Sequence, residues 1–346
     1  MNFDLFDDPS DLPQTPSVVH GKTFRVASGN AFLVEESGEE TGLSCLPEVQ
    51  EGFYVMPNSL VRGSNLGTLF NARKGTKDDR YAITGKVIAD NRHCKLTYTG
   101  LELRQAELDV FIGVLHLASS TSHDLRKPLV FTAPRFLKSI GWVQEDKHPS
   151  KKDYDRLTDS LKALASAKIY VEQYRSIGPN ERIPVGEFSG GNLLAEFKWR
   201  KEGASRHYEV NLDPKIALIF TKNEYTIGSH SLRRELDGRQ PLAKMLLEYY
   251  LTSREPIPIS IYELAARAGL CMTHKNTFRR VFVAACEHLV KINFLESFHI
   301  DDQKRLHVKR QPLKRIAPSS GAIYNNVYVD NVVDAILKKV TPVQMS

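Results

Sequence analysis

Cysteine is scarce in this sequence. Only four of the 346 residues are cysteines, and Cys45, Cys94, Cys271 and Cys286 are widely spaced. The sequence contains no C-x-x-C pair and no group of cysteines and histidines at the spacing of zinc ligands. These absences argue against a disulfide framework and a structural zinc site. They predict reduced thiols and a protein without a metal or other cofactor.

Long hydrophobic runs are also missing. No apolar stretch approaches the roughly 20 residues that a membrane-spanning helix needs. The N-terminus lacks the basic region and the continuous apolar stretch of a signal peptide. The sequence therefore predicts a cytoplasmic protein that makes no membrane contact.

The common motifs of enzymes are absent as well. The chain has no G-x-x-x-x-G-K-[ST], no G-x-G-x-x-G, no G-x-S-x-G and no H-E-x-x-H. A glycine pair does occur in SGGN, residues Ser189 to Asn192, but it precedes a predicted strand and does not open a helix. We therefore predict a binding protein with no catalytic residues.

Basic residues are rare in the first part of the chain and abundant in the rest. Residues 1–50 hold two basic and nine acidic side chains, so residues 51–346 carry a net charge of +13. A basic excess of this size on a folded body indicates a polyanionic partner, and nucleic acid is the simplest one.

The two ends of the chain differ from its middle. Residues 1–51 are acidic, contain several prolines and glycines, and show no sustained helical or strand period, which predicts a disordered acidic leader. Residues 318–346 form a tail whose apolar side chains predict a strand or helix. That element either completes the folded body or bridges two copies of the chain.

The middle of the chain predicts an α+β fold made of two tandem winged-helix domains, residues 52–212 and 213–317. Each half shows a helix, a short helix, a long helix and a two-stranded hairpin. The short helices have matching start and stop signals. In both, the closing glycine lies nine positions after the capping residue, in Thr132–Gly141 and in Ser260–Gly269. This agreement indicates an internal duplication.

The second winged helix has the side chains of a base reader. Its third helix would enter the major groove while its wing follows the phosphate backbone. With Phe278, Phe282 and Leu289 facing inward, helical spacing turns Asn276 and Arg280 outward. Arginine pairs well with guanine, and asparagine with adenine. The predicted DNA-binding residues are Lys275, Asn276, Thr277, Arg279 and Arg280 on the helix and Lys304, Arg305, Lys309 and Arg310 on the wing and its exit strand.

The first winged helix is less clearly a base reader, because Asp155 and Asp159 also face outward on its long helix. Its hairpin is rich in basic residues, so the pattern favours phosphate binding by the wing. The predicted DNA-binding residues are Lys151, Lys152 and Arg156 on the helix and Lys198, Arg200, Lys201 and Arg206 on the hairpin.

Two other interpretations fit the same pattern. In the first, the basic side chains belong to ordinary solvated helix faces, and the winged helices bind proteins. In the second, the protein is a transcriptional repressor with tandem winged helices, which would show the same arrangement of residues. RNA binding has less support, since no RNP-like strand and no GXXG loop is present.

Three long strings in the first half resemble a known family. They are FYVMPNSLVRGSNLGTLFNARKG, LTYTGLELRQAELDVFIGVLHLA and FTAPRFLKSIGW. They resemble the TrfA-type plasmid replication initiators, a bacterial family that binds repeated origin sequences called iterons. The similarity extends from about Gly52 to about Gln311 and is most specific between Leu96 and Trp142.

The resemblance implies more than the residue pattern does. It implies two winged-helix domains on double-stranded origin DNA, monomers that bind iterons, and dimers that are less active. It also implies opening of an AT-rich region and recruitment of the host replicative helicase. Some relatives handle the opened single strand and bind the sliding clamp, which adds single-stranded origin DNA and the clamp as candidate partners.

The first residues contain a candidate clamp-binding peptide. The family's pentapeptide reads roughly Q-L-[S/D]-L-F, and the chain matches it at Asp4, Leu5 and Phe6 but departs from it at Asn2 and Phe3. Clamp grooves bury the Leu-Phe end of such peptides. The alternative is a frayed terminus whose aromatic side chains pack on the body.

Overall fold

The structure is a computed structural model of the whole chain. It describes most of residues 46–311, apart from short gaps, the longest of which are 63–68, 74–79 and 220–224. Within 17–42 it describes only the backbone of four strands. The clamp-peptide residues Asp4, Leu5 and Phe6 and the tail 318–346 lie outside the described residues.

The N-terminal part of the chain, Met1–Leu43, is one of two compact units and contains strands. They form an antiparallel sheet in the order β1-β2-β3-β4. The leader that the sequence analysis predicts as disordered therefore contains a sheet between residues 17 and 42. Runs such as TFRVA and AFLV are rich in β-branched and aromatic residues, which favour strands. This preference was hidden because the prediction used the acidic composition of the whole leader. The strands are β1 (Ser17–Val19), β2 (Lys22–Ala27), β3 (Asn30–Val34) and β4 (Glu40–Gly42).

The second compact unit begins at Ser44 and contains all the helices that the structure describes. The helices are α1 (Asn58–Arg62), α2 (Gln105–Ser120), α3 (Ala133–Ser139), α4 (Lys151–Ala165), α5 (His230–Glu235), α6 (Pro241–Leu251), α7 (Ile261–Arg267) and α8 (Lys275–Lys291). The strands before α4 are β5 (Phe53–Pro57), β6 (Phe70–Asn71), β7 (Ala82–Asp90), β8 (Cys94–Leu101), β9 (Leu103–Arg104) and β10 (Leu129–Thr132). Those after it are β11 (Lys168–Ser176), β12 (Arg182–Glu187), β13 (Gly191–Asn192), β14 (Leu194–Glu202), β15 (Ser205–Leu212), β16 (Tyr225–Ser229), β17 (Ile259–Ser260), β18 (Leu295–Ile300) and β19 (Arg305–Arg310).

One succession of elements occurs twice in this unit. The first repeat is α2, β10, α3, α4, β14 and β15, and the second is α6, β17, α7, α8, β18 and β19. The sheets match as well, because the order β10-β15-β14 in the first repeat corresponds to β17-β19-β18 in the second. The helices and the final hairpin follow the predicted order. The short strand before the second helix was not predicted, because runs of two to four residues carry little periodicity.

The first repeat contains an insertion that the second lacks. Strands β11, β12 and β13 follow α4 and join β7 and β8 in a five-stranded sheet. Strand β11 pairs with β8 through Ile169 and Tyr98, and both side chains are buried. The insertion thus ties the first repeat to the segment that precedes it in sequence.

The short helices α3 and α7 end in the same way. Both are followed at the second position by a glycine in the left-handed region, Gly141 with φ 74° and Gly269 with φ 67°. The residue after each glycine donates its N–H to a carbonyl five residues earlier, at 2.9 Å in both repeats. This is the Schellman arrangement, in which only glycine adopts the required φ without strain. The predicted stops are therefore correct.

The predicted starts of these helices are only partly correct. The Thr132 side chain makes no capping hydrogen bond, and its backbone is the last of strand β10, where it pairs with His207. Ser260 does cap α7, by accepting from the backbone N–H of Tyr262. The Glu263 carboxylate does not complete a capping box with Ser260 but binds the Arg267 guanidinium at 2.6 Å.

The second repeat is built around a continuous apolar core. Side chains from α6, α7 and α8 meet β18 and β19 there, and Leu246, Phe282 and Phe294 are fully buried. Cys286 is a free thiol in this core, and burial raises its pKa to about 12. It is therefore a protonated structural side chain, as the sequence analysis expects.

Candidate nucleic-acid interface

Helix α8 presents an exposed basic face at its N-terminal end. Phe282 and Leu289 are fully buried, which turns Arg279 and Arg280 to the exposed side. Residues 275–277 form the first turn of the helix, and only their backbone is described. The structure thus places the predicted Lys275, Asn276 and Thr277 beside the two exposed arginines.

The hairpin β18–β19 carries three exposed basic residues of the predicted set. Lys304 lies in the turn between the strands with φ 60°, and its carbonyl oxygen accepts from the N–H of Ile261 at the start of α7. Arg305 lies 3.7 Å from Asp301, and Lys309 lies 2.7 Å from Glu296. Exposed ion pairs of this kind contribute little to stability, so a phosphate can replace the carboxylate partner.

Arg310 occupies a different position from its neighbours on the hairpin. Its guanidinium Nη1 donates to the carbonyl oxygen of Tyr250, at the C-terminal end of α6, over 2.9 Å. A cation at this end of a helix satisfies a free carbonyl and interacts favourably with the helix dipole. The structure therefore gives Arg310 an intramolecular partner, which the sequence could not reveal because the two residues are 60 positions apart.

In the first repeat, α4 begins with a capping box and two exposed lysines. The Ser150 hydroxyl accepts from the backbone N–H of Asp153, while the Asp153 carboxylate accepts from the Ser150 N–H. Lys151 and Lys152 follow in the first turn, and both are exposed. The basic start of this helix is therefore accessible.

Two other predicted arginines of this repeat lie against aromatic rings. The Arg156 guanidinium lies 3.7 Å from the centroid of the Trp142 ring. Arg206 binds the Asp155 carboxylate at 2.9 Å and lies 4.7 Å from the centroid of the Trp199 ring. Stacking orients the Arg156 guanidinium, and stacking together with ion pairing orients that of Arg206.

The hairpin β14–β15 of the first repeat is exposed and charged. Lys198 pairs with Glu196 at 3.2 Å, and Arg200 pairs with Glu202 at 2.5 Å. Lys201 is also exposed. Both hairpins thus carry exposed basic residues with neighbouring carboxylates, but three of those in the first hairpin lie on its first strand, whereas those in the second lie on its turn and second strand.

A buried group of charged residues joins the two repeats, and its members are not among the predicted functional residues. Asp109 on α2 is 4% exposed and accepts from Arg233 of α5 at 2.9 Å and from Lys244 of α6 at 2.8 Å. The Trp142 indole N–H donates to the same carboxylate over 3.0 Å. Burial alone would raise the pKa of Asp109, but Lys244 and Arg233 outweigh it and hold the pKa below its ordinary value. The carboxylate is therefore ionised in the fold.

The same group extends through Arg233 to the start of the second unit. The Arg233 guanidinium binds Glu248 at 2.8 Å and the side-chain oxygen of Gln105 at 3.1 Å. Glu248 also accepts from the Tyr54 hydroxyl on β5 over 2.5 Å. A sequence signal for this group exists, since Lys244 and Glu248 are charged residues four positions apart within the apolar helix PLAKMLLEYYL.

Two histidines lie next to this group. The rings of His116 and His230 are 4.6 Å apart in an edge-to-face arrangement, and His116 Nδ1 donates to the carbonyl oxygen of Phe53 over 2.7 Å. His230 Nε2 is buried and has no hydrogen-bond partner among the described residues. Burial, reinforced by His116, Arg234 and Arg233, lowers the pKa of His230 to about 3.

Two kinds of feature are absent from the described part of the chain, a metal-binding group and a membrane-spanning helix. It contains no group of three or more histidine, cysteine, aspartate or glutamate side chains that could hold a metal ion. None of the described helices is long and apolar enough to cross a membrane.

Three comparisons relate the chain to known proteins. The chain is 27% identical over 259 residues to the plasmid replication initiator protein TrfA of Escherichia coli. That match covers 74% of this chain and 61% of the relative, so it spans less than two thirds of the relative's length. Two crystal structures of domains 2 and 3 of RctB are also similar, with TM-scores of 0.47 and 0.42 and identities of 11% and 12%. They cover 73% and 66% of this chain and 98% and 88% of their own.

The family model described as TrfA protein matches residues 42–310. The match includes both repeats and the segment before them, and it corresponds closely to the range over which the three strings suggested a resemblance. It covers well over half of the sequence, and the chain therefore belongs to the TrfA protein family.

Proposed function

We propose that this protein is a plasmid replication initiator that binds repeated origin sequences, iterons, through two winged helices. The observation that carries the proposal is the repeated order of helix, strand, helix, helix and hairpin, with basic residues on the long helix and on the hairpin of both repeats. In a winged helix, the third helix reads bases and the hairpin follows the backbone. The name of the Escherichia coli relative supports the role in plasmid replication.

In this proposal the two repeats have different tasks. Helix α8 reads base edges, because Arg279 and Arg280 are exposed and Asn276 lies in the same basic first turns. The first repeat contacts the DNA phosphate backbone through Lys151, Lys152 and its hairpin. Asp155, a carboxylate on the same helix as the two lysines, is paired with Arg206 and so repels phosphate less. The initiator then opens an AT-rich region and recruits the host helicase, as the family resemblance implies.

Arg280→Ala is expected to weaken binding to the origin repeat while leaving non-specific binding almost unchanged. Loss of a bidentate contact with a base costs about 1 to 3 kcal/mol, which corresponds to roughly 5- to 150-fold in affinity. The measurement is fluorescence anisotropy with a labelled repeat and with a scrambled duplex. Arg126→Ala, at an exposed arginine far from α8 in the sequence and paired with Asp124, is the matched control.

The double variant Lys304→Ala/Lys309→Ala is expected to weaken binding to both duplexes. It should also reduce the slope of log affinity against log salt by about two, because each phosphate contact contributes about 0.9 to that slope. Arg310 is left intact because it stabilises the end of α6. If Arg280→Ala and the double variant have the same effects on both duplexes, the assignment of base reader and wing is wrong.

The role in replication is tested separately from DNA binding. The DNA beside the coding sequence should contain direct repeats next to an AT-rich stretch, and that segment together with this protein should sustain a plasmid. A protein that binds such repeats but is not needed for replication would be a repressor.

A further inference from the structure

A cavity of about 720 Å³ lies between the two repeats, and it shares Lys152 and Arg156 with the predicted DNA-binding residues of the first repeat. The first repeat contributes α2 and α4 to its walls, and the second contributes the start of α6. Seven of its lining side chains are basic and four are acidic. Its basic side chains include Arg73, Arg80, Arg104, Lys152, Arg156 and Arg239.

Three of the four acidic side chains are already neutralised by partners within the protein. Glu107 accepts from the Arg80 guanidinium at 2.6 Å and from the Ser160 hydroxyl at 2.9 Å. Asp109 is held by Lys244 at 2.8 Å, and Asp155 is held by Arg206 from outside the cavity at 2.9 Å. Arg73 and Arg104 in turn pair with Glu102, but the lining as a whole still holds seven basic against four acidic side chains and is therefore positive.

Arg80 has a donor that the fold does not use. Its Nη2 binds Glu107, but its Nε is buried and has no hydrogen-bond partner among the described residues. A buried N–H without an acceptor is unfavourable, and most such groups in proteins have a partner. Arg80 also lines the cavity, but because its Nε is buried, an anion bound there would reach this atom only if the guanidinium turned toward the cavity.

We propose that this cavity binds a small molecule carrying several phosphates, of the nucleoside polyphosphate class. Its volume lies within the roughly 300 to 1,000 Å³ of small-molecule sites, which favours a free ligand over a DNA duplex. Arginine and lysine are the side chains that recognise phosphate, through charge-assisted hydrogen bonds. Arg156, stacked on Trp142 at 3.7 Å, is already oriented for such a contact. The site is independent of the proposed role of α8 in reading DNA.

The test is isothermal titration calorimetry, which measures the affinity of the full chain for inorganic triphosphate and for ATP without added metal. Lys152→Gln/Arg156→Gln should weaken both ligands by roughly tenfold or more, because two charge-assisted contacts are lost. Arg80→Lys keeps a charge beside Glu107 but removes the unused Nε–H, and it should weaken binding several-fold at an unchanged melting temperature. The matched control is Lys198→Gln/Arg200→Gln, which removes two charges from the exposed hairpin and should leave binding within about twofold.

Three results would overturn the proposal. The first is no binding of either ligand at millimolar concentration. The second is equal losses in the cavity and hairpin variants, which would indicate non-specific attraction to a basic surface. The third is binding of a 12-nucleotide oligonucleotide that depends on Lys152 and Arg156, while neither small ligand binds. This result would make the cavity a DNA contact. Binding to the origin duplex is measured on the same samples, so failure of the proposed replication function is recognised separately.

Discussion

Asp109→Ala is expected to lower the melting temperature of this protein by roughly 10 °C. Removal of one partner from a buried ion pair costs about 3 to 5 kcal/mol, and in a domain of this size each kcal/mol corresponds to about 2 to 4 °C. The carboxylate is 4% exposed and pairs with both Lys244 and Arg233, of which Arg233 also binds Glu248. The substitution leaves these two cations buried without their main counter-charge.

The effect should extend to the packing of the two repeats. Asp109 belongs to α2 of the first repeat, Lys244 belongs to α6 of the second, and Arg233 lies on α5 between them in sequence. Burial lowers the pKa of Lys244 although Asp109 opposes this effect. Without Asp109, deprotonation of Lys244 becomes easier, but Arg233 cannot lose its proton in the accessible pH range. Its charge therefore remains an unfavourable buried group.

Thermal unfolding followed by circular dichroism measures this prediction. The control is Asp124→Ala, which removes a carboxylate from the exposed pair with Arg126 and should leave the melting temperature almost unchanged. Asp109→Asn retains hydrogen-bonding capacity and should lie between the wild type and Asp109→Ala. Equal melting temperatures for Asp109→Ala and Asp124→Ala would show that the buried group does not hold the repeats together.

The second large effect concerns the dependence of stability on pH. The pKa of His230 falls from 6.5 to about 3 in the fold because the ring is buried beside His116, Arg234 and Arg233. The folded state therefore keeps His230 neutral, while the unfolded chain binds a proton as the pH falls below 6.5. The contribution of neutral His230 to the free energy of unfolding is fully present above the unfolded pKa. It declines as the pH falls through that value and continues to decline until about pH 3. Between pH 7 and pH 5 the expected loss is about 2 kcal/mol.

His230→Phe should remove this part of the pH dependence. Phenylalanine keeps an aromatic ring against Tyr54 and His116 but has no titrating nitrogen. The measurement is urea unfolding of wild type and variant between pH 7 and pH 5, where most carboxylates remain ionised. The matched control is His148→Gln at an exposed position, which should retain the wild-type slope. A His230→Phe slope equal to that of the wild type would contradict the prediction.

Periodicity and local signals were sufficient for the main helices of both repeats. Helix α8 was predicted because Phe282, Ala285 and Leu289 recur at helical spacing, and all three are buried. Gly141 and Gly269 ended their helices as expected, because a left-handed residue is a local requirement that leaves a mark in the sequence. The two hairpins were found in the same way, from alternating residues on either side of a polar turn.

Partners that are distant in sequence could not be predicted. Arg310 and Tyr250 are 60 positions apart, and Arg233 and Asp109 are 124 positions apart, so no local pattern connects them. Arg206, which is predicted to contact phosphate, binds Asp155 in the fold, a partner 51 positions away. The sheet within 17–42 was missed for another reason, since a composition average over 51 residues hid short runs of strand-forming residues.

The sequence by itself determined the repeated order of helices and hairpins, the C-terminal ends of the two short helices and the basic character of the body. These follow from side-chain spacing, turn chemistry and charge, which act over a few residues. Only the tertiary structure decided which basic residues stay exposed, as Arg280 and Lys304 do, and which are used inside the fold, as Arg233 and Arg310 are. It also created the basic cavity between the repeats. Burial and pairing depend on which segments meet, and that is a property of the packed chain.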